Sequence, residues 1–124
     1  MTKRKKLIKA CDDLWSEIVK LRASGRCEMC GKNSYLNSHH IFSRNNYSTR
    51  WDISNGVCLC AGCHTLTTNS AHKAPADFVE WIKAKRGLGW YDDLRVKAHD
   101  IVKFSDIDLK ETILVILKKE KDCA

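Results

Sequence analysis

Two pairs of cysteines, each with two residues between its members, constrain the fold of this chain more than any other feature of its sequence. Cys27 and Cys30 form the first pair, Cys60 and Cys63 form the second, and residues 31–59 lie between them. Two thiolates at positions i and i+3 of a tight turn converge on one ion, and two such turns complete the tetrahedron that Zn²⁺ prefers. Four sulfur ligands close the coordination shell, so we expect a structural ion that fixes the intervening segment.

Other uses of the cysteines remain open. A redox Cys-x-x-Cys motif normally opens a helix after a strand, and two such motifs in one chain argue against that use. We expect Cys11, Cys58 and Cys123 to be buried free thiols rather than ligands. The cysteines number seven, and this odd count, without a recognisable secretion signal, favours metal over disulfides in a reducing compartment. We therefore expect a soluble, cytoplasmic protein.

Apolar residues at helical spacing mark both ends of the chain. Between residues 3 and 24 they recur at three- and four-residue steps, and Gly25 suits the left-handed conformation that ends a helix. After Pro75 the pattern predicts a helix ending near 86–87, another short helix beginning with the apolar residues of 90–94, and a helix over 106–121 with Ser105 as N-cap. The longest aliphatic run, residues 113–117, is too short to span a bilayer, so no membrane partner is expected.

Between these helices the helical period disappears. A short strand is predicted around His39 and His40, and a second over 57–59, with a polar loop at 43–52 between them. The sequence thus predicts one α+β domain over residues 1–124, with a small β-hairpin at its centre. It divides into a basic N-terminal helix (1–25), a metal-binding core (26–72) and a helical C-terminal part (73–124).

The net positive charge of the chain comes from its first 50 residues. The formal net charge is +7, and acidic and basic residues balance after residue 50. A one-sided basic region suits a polyanionic partner, because each neutralised phosphate releases a condensed counterion. A merely solvated, lysine-rich terminus explains the charge equally well.

Histidines lie within or beside the cysteine-bounded segment, at His39, His40 and His64. Adjacent residues of a strand point to opposite faces, so His39 and His40 cannot both hold one ion from a regular strand. One could hold a metal while its neighbour faces a water molecule, a division that fits phosphodiester hydrolysis. Alternatively, surface histidines simply flank a zinc ribbon.

The order of these residues resembles a known family. Ser38–Ile41, Asn55–Cys60 and Cys63–His64 together resemble the HNH endonuclease motif with its ββα-metal fold. In the zinc-bearing branch of that family one Cys-x-x-Cys pair precedes the histidine pair and the other precedes the last histidine, as here. The resemblance covers about residues 26–72, and the whole chain resembles a small phage-type HNH protein.

The resemblance implies a role for each matching residue. His40 would be the general base that activates water, and His39 a ligand of the catalytic ion. Asn55 would hold the hairpin loop and orient the base through hydrogen bonds. His64, on the first turn of the α element, would be the second metal ligand.

One position departs from the family pattern. Many members carry another His or Asn four residues after the last motif histidine, where this chain has Thr68. His72 is the candidate replacement if the helix is interrupted around residues 67–70. Otherwise water would complete the shell of the catalytic ion, which the resemblance implies to be Mg²⁺ or Mn²⁺.

DNA is the implied partner, with other phage DNA-processing proteins as candidate partners in a bacterial host cell. Arg44 and Arg50, in the loop between the motif halves, are candidate phosphate contacts. The candidate DNA-binding residues of the basic terminus are Lys3, Arg4, Lys5 and Lys6. The implied activity is a metal-dependent DNA endonuclease that nicks one strand as a monomer. A non-catalytic zinc-ribbon module that binds nucleic acid is the alternative, and a thiol-redox protein a third.

Overall fold

The computed structural model describes residues 1–124. Its elements, in chain order, are α1 (Lys3–Arg22), β1 (Leu36–His40), α2 (Tyr47–Arg50), a 3₁₀ turn (Ile53–Asn55), β2 (Gly56–Cys60), a π-helical turn (Gly62–Leu66), α3 (Pro75–Arg86), α4 (Leu88–Ala98), α5 (Asp106–Asp108), a second π-helical turn (Leu109–Ile113) and α6 (Leu114–Cys123). No helix combines the length and apolar content needed to cross a membrane.

Helix α1 buries the apolar stripe that its sequence predicts. Cys11, Trp15 and Ile18 are at most 2% exposed and pack against the C-terminal helical segment and β2. Gly25 adopts a φ of +67°, so its predicted left-handed conformation after the helix is confirmed. The long N-terminal helix therefore forms one wall of the core.

The two strands form the predicted antiparallel hairpin. Leu36 pairs with Cys60 at one end of the register and His40 with Gly56 at the other. Every residue of β2 is buried, because one face of the strand contacts α1 and the other faces α3. The mixed architecture of helices around a small antiparallel sheet confirms the α+β prediction.

The connection between the strands is more ordered than the predicted polar loop. It contains α2 and the 3₁₀ turn, and the side chain of Asp52 caps that turn by accepting a hydrogen bond from the Ser54 N–H. Tyr47 and Trp51 cause the difference, because these aromatic rings pack into the core beside Trp15. The loop is thus fixed against α1.

The segment after β2 is shorter than an ordinary α element. A single π-helical turn ends at Leu66, Thr67 becomes extended, and the chain turns back before Pro75 opens α3. Further on, Ser105 forms a capping box with Asp108, which confirms the predicted N-cap.

The free thiols outside the cysteine pairs differ in burial. Cys11 and Cys58 have no exposed surface, and burial raises the pKa of each thiol to about 11. Cys123 is exposed, so the prediction of a buried thiol there is wrong. It is the last residue of α6 and lies beyond Leu117, the last buried residue of the chain.

Candidate metal centres and active site

The four paired cysteines converge on one point. The Sγ atoms of Cys27, Cys30, Cys60 and Cys63 all lie within 4.8 Å of one another, and those of Cys30 and Cys60 are 3.6 Å apart. A tetrahedral zinc ion with bonds of about 2.3 Å holds its sulfur ligands about 3.8 Å apart. The cluster is therefore consistent with a structural zinc site.

Local backbone geometry aims these thiols inward. The Cys30 N–H donates to the Cys27 Sγ, and the Cys63 N–H donates to the Cys60 Sγ, both at 3.5 Å. Burial would raise the pKa of the Cys27 thiol, but backbone hydrogen bonds lower it to about 7. The backbone hydrogen bond from Cys63 likewise lowers the pKa of the Cys60 thiol, whereas burial raises that of Cys63. The first cysteine of each turn thus favours the thiolate that zinc requires.

Glu28 fastens the first cysteine turn to the rest of the fold. Its carboxylate accepts hydrogen bonds from the Cys58 N–H at 2.7 Å and from Arg86 Nη2 at 3.0 Å, and Lys85 donates to its backbone carbonyl at 2.8 Å. Nothing in the local sequence signals this role, because a Glu inside a Cys-x-x-Cys turn resembles an ordinary solvent-facing residue.

Three histidines form a second cluster. Ligand nitrogens of His39, His64 and His72 lie within 4.8 Å of one another, and the Nε2 atoms of His64 and His72 are 3.0 Å apart. The chain reversal after the π-helical turn causes this arrangement, because the His72 N–H donates to the His64 carbonyl at 3.1 Å. Thr68, where the family pattern expects a ligand, is exposed at the reversal.

The electrostatics of this cluster suit a cation. Burial, with smaller effects from the neighbouring histidines, lowers the pKa of His39 to about 3. Burial also lowers the pKa of His64, followed by the effect of His72. Neutral imidazoles offer lone pairs, and an ion with metal–nitrogen bonds of about 2.1 Å would hold neighbouring ligand atoms roughly 3.0–3.4 Å apart. The three side chains therefore fit a divalent metal ion.

His40 lies on the opposite side of β1, against α1. Its ring stacks on Trp15 with centroids 3.9 Å apart and planes 11° from parallel. Its Nε2 lies 3.0 Å from the Arg50 carbonyl oxygen. Burial lowers the pKa of His40, although the bond to Arg50 and the charge of Asp12 oppose the shift. A neutral imidazole in a fixed orientation can accept a proton.

Asn55 holds the chain directly after His40. Its buried side chain accepts a hydrogen bond from the Phe42 N–H at 2.8 Å and donates to the Phe42 carbonyl at 3.0 Å, while the Asn55 carbonyl accepts from the Ile41 N–H. It makes no hydrogen bond to His40 itself. Any orientation of that ring by Asn55 is therefore indirect.

The arginines and lysines that the sequence predicts to contact phosphate differ in their exposure and pairing. Arg50 is 7% exposed and forms a bidentate pair with Asp12, so its guanidinium is engaged within the fold, unlike the free phosphate contact that the sequence predicts. The Arg44 side chain is 63% exposed. In the basic terminus Arg4 bonds to the Phe104 carbonyl and to Asp106. The exposed lysines there are Lys3, Lys5 and Lys6.

Comparison with known proteins agrees with this geometry. The family model of the HNH endonuclease matches residues 27–70, which contain both cysteine pairs, the histidine pair, Asn55 and His64. No curated protein and no solved structure matches the chain. Residues 27–70 are therefore similar to the HNH endonuclease domain.

Proposed function

We propose that the protein is a metal-dependent endonuclease that hydrolyses phosphodiester bonds in DNA. We also propose that residues 1–124 act as one unit, because α1 packs against both the hairpin and the C-terminal helical segment.

The observation that carries this proposal is the presence of two separate clusters of metal ligands. The thiolate cluster alone would suffice for a zinc ribbon that only binds nucleic acid. The imidazole cluster of His39, His64 and His72 adds a site that a ribbon does not need. Three nitrogen ligands would leave coordination positions for water and phosphate oxygens, as catalytic sites require.

Each residue has a defined part in the proposed reaction. His39, His64 and His72 would hold a divalent ion, which would supply positive charge to the phosphate. His40 takes a proton from water at Nδ1, which makes no hydrogen bond within the chain. The water oxygen bonds to phosphorus as the bond from phosphorus to the leaving sugar oxygen breaks, and solvent protonates that oxygen. Exposed Arg44, four residues after His40, contacts a neighbouring phosphate.

The donor set bears on the choice of ion. Imidazole suits first-row transition metals, whereas Mg²⁺ prefers oxygen ligands. Of the two ions that the family resemblance implies, we propose that Mn²⁺ supports cleavage better than Mg²⁺. Ni²⁺ should also bind, because nitrogen ligands bind it more tightly than Mn²⁺.

One such site per chain would cut one strand at a time. We therefore propose that a monomer nicks duplex DNA and that a double-strand break requires two chains. The exposed lysines of the N-terminal helix would contact the backbone, which adds affinity without reading sequence.

Cleavage of supercoiled plasmid tests the proposal. Wild type, His40→Ala and His99→Ala are each incubated with Mg²⁺, Mn²⁺, Ni²⁺ or EDTA, and the zinc content of each sample is measured. Exposed His99 provides the matched control, because the only hydrogen bond of its side chain is to the Arg95 carbonyl. We expect wild type and His99→Ala to convert plasmid to the nicked form with Mn²⁺, and His40→Ala to bind DNA without cutting it.

Two outcomes would contradict the proposal. Cleavage by His40→Ala at the wild-type rate would remove His40 from the mechanism. A wild-type protein that retains zinc and binds DNA, but cuts with none of the three ions, would instead be a zinc-ribbon binding module.

A further inference from the structure

Helix α1 contributes a surface on which the ring of His40 rests, although α1 lies outside the segment that the family model matches. Trp15 covers one face of the imidazole at 3.9 Å. The Trp15 Nε1 donates to the Asp52 carbonyl at 2.8 Å and the Trp15 side chain is 2% exposed. Because the indole is itself fixed, it restricts rotation of the histidine ring.

Helix α1 also fixes the hydrogen-bond partner of His40, which is the Arg50 carbonyl. The Arg50 carbonyl accepts from His40 Nε2, and the Arg50 side chain donates to both Asp12 oxygens at 3.0 and 2.8 Å. Asp12 accepts a third hydrogen bond from Trp51 Nε1 at 2.9 Å. A single carboxylate therefore holds two consecutive residues of the loop that carries the carbonyl.

This arrangement selects one form of the histidine. A carbonyl oxygen can only accept, so a bond to Nε2 requires the ring proton on Nε2 and leaves the lone pair on Nδ1. If the carbonyl moved, the neutral ring could carry its proton on either nitrogen. The form with the proton on Nδ1 could not accept a second proton there.

We propose that Asp12 is a positioning residue for the nuclease reaction. Through Arg50 and Trp51 it fixes the Arg50 carbonyl, which keeps His40 in the tautomer with its proton on Nε2 and an unprotonated Nδ1. This inference rests on the proposed function, because it concerns the base of that reaction. Asp12 makes no hydrogen bond to His40 or to any proposed metal ligand, and it acts through Arg50, which lies 38 residues further along the chain.

Two isosteric variants test the role of the carboxylate. Asp12→Asn removes its charge and one acceptor. Asp13→Asn makes the same change one residue further on, where the side chain is 66% exposed and pairs only with Lys9. We expect Asp12→Asn to lower kcat for plasmid nicking roughly 10- to 100-fold with little change in KM, as small misplacement of a reacting group does. Asp13→Asn should change neither constant.

The ring nitrogens of His40 give a readout that a purely structural role would not move. In ¹⁵N-labelled, zinc-loaded protein near pH 7.5, with His40→Ala for assignment, wild type and Asp13→Asn should show a proton on Nε2 and a bare Nδ1. Asp12→Asn should show both forms.

A proton on Nδ1 in wild type would overturn the proposal even if Asp12→Asn failed to fold. An unchanged ring and an unchanged kcat in a folded Asp12→Asn protein would also overturn it. The NMR measurement needs no cleavage, so it tests the role of Asp12 independently of the nuclease activity. A wild-type protein that does not cut DNA would contradict the proposed function alone.

Discussion

The Nε2 atoms of His64 and His72 lie 3.0 Å apart, although the two residues belong to different segments on either side of a chain reversal. The backbone hydrogen bond from the His72 N–H to the His64 carbonyl fixes this approach. His72 thus lies where a further ligand of the proposed catalytic ion would be needed, and Thr68 is exposed in the reversal.

We expect His72→Ala to weaken binding of the Mn²⁺ that supports cleavage. Loss of a direct ligand should raise the Mn²⁺ concentration for half-maximal nicking at least roughly 10-fold, since even changes around a ligand cost that much. Thr68→Ala, the matched control within the same reversal, should leave it unchanged. Equal Mn²⁺ curves for His72→Ala and wild type would mean that water, not His72, completes the site.

Much of the fold could be predicted because its signals are local. Ligand spacing in a Cys-x-x-Cys turn and apolar spacing along a helix depend on residues within one or two turns of each other. The bounds of α1, the two strands and the start of α5 follow from such signals. The resemblance to the HNH motif depends on the order of residues along the chain, which a change in the intervening loop does not alter.

The surroundings of His40 could not be predicted in this way. Asp12 lies on a polar side of α1 and resembled a solvated residue, and Arg50 resembled a free loop arginine. Their pairing joins segments 38 residues apart, so no spacing rule reveals it. The burial of Arg50 could not be predicted for the same reason: a guanidinium is free to contact a phosphate only when no carboxylate of the same chain pairs with it.

Removal of the zinc ion that the four cysteines would bind should unfold the hairpin. Zinc binding to small cysteine sites contributes about 10 kcal/mol or more, comparable with the whole stability of a small domain. We therefore expect chelation, or Cys30→Ser, to abolish the dispersed amide spectrum of residues 27–70. Cys123→Ser changes an exposed thiol outside the cluster and should leave both zinc content and spectrum intact. A dispersed spectrum in zinc-free protein would mean that packing alone fixes the hairpin.

The pair of Asp12 and Arg50 should make stability depend on pH in the acidic range. Burial opposes ionisation of Asp12, but hydrogen bonds from Arg50 and Trp51 and the charges of Arg50 and Arg44 hold its pKa below the usual 3.8. The folded protein thus takes up this proton at lower pH than the unfolded chain, so the stabilisation is fully present well above pH 3.8 and is lost as the pH falls below it.

Urea unfolding of wild type and Asp12→Asn at several pH values between 7 and 3.5 tests this dependence. At pH 7 we expect Asp12→Asn to be less stable by about 1.5–3 kcal/mol, as for the loss of a hydrogen bond to a charged group. The difference should narrow at the most acidic values. Asp13→Asn should show no such trend, and a difference that stayed constant with pH would exclude ionised Asp12 as its source.

Gly56 is required where β2 passes closest to α1. A Cβ atom at this position would overlap Val19 Cγ2 and lie 2.9 Å from Trp15 Cζ2, and both side chains are buried. We expect Gly56→Ala to lower the free energy of unfolding by about 1–3 kcal/mol, as overpacking does. Gly89→Ala, in α4 with no atom within 4 Å of its added methyl group, should be neutral or slightly stabilising. Equal effects of the two substitutions in thermal denaturation would contradict this account of Gly56.

Arg44 is the loop arginine that remains available to DNA. Its side chain is 63% exposed and lies 3.6 Å from Asp12, so it can move to a phosphate at little cost. We expect Arg44→Ala to weaken binding of a short duplex and to reduce the slope of log affinity against log salt by about 1. Arg95→Ala removes the same charge from an exposed position on α4 and serves as the control. If both variants lowered the salt slope equally, the effect of Arg44 would reflect net charge rather than a contact beside the proposed active site.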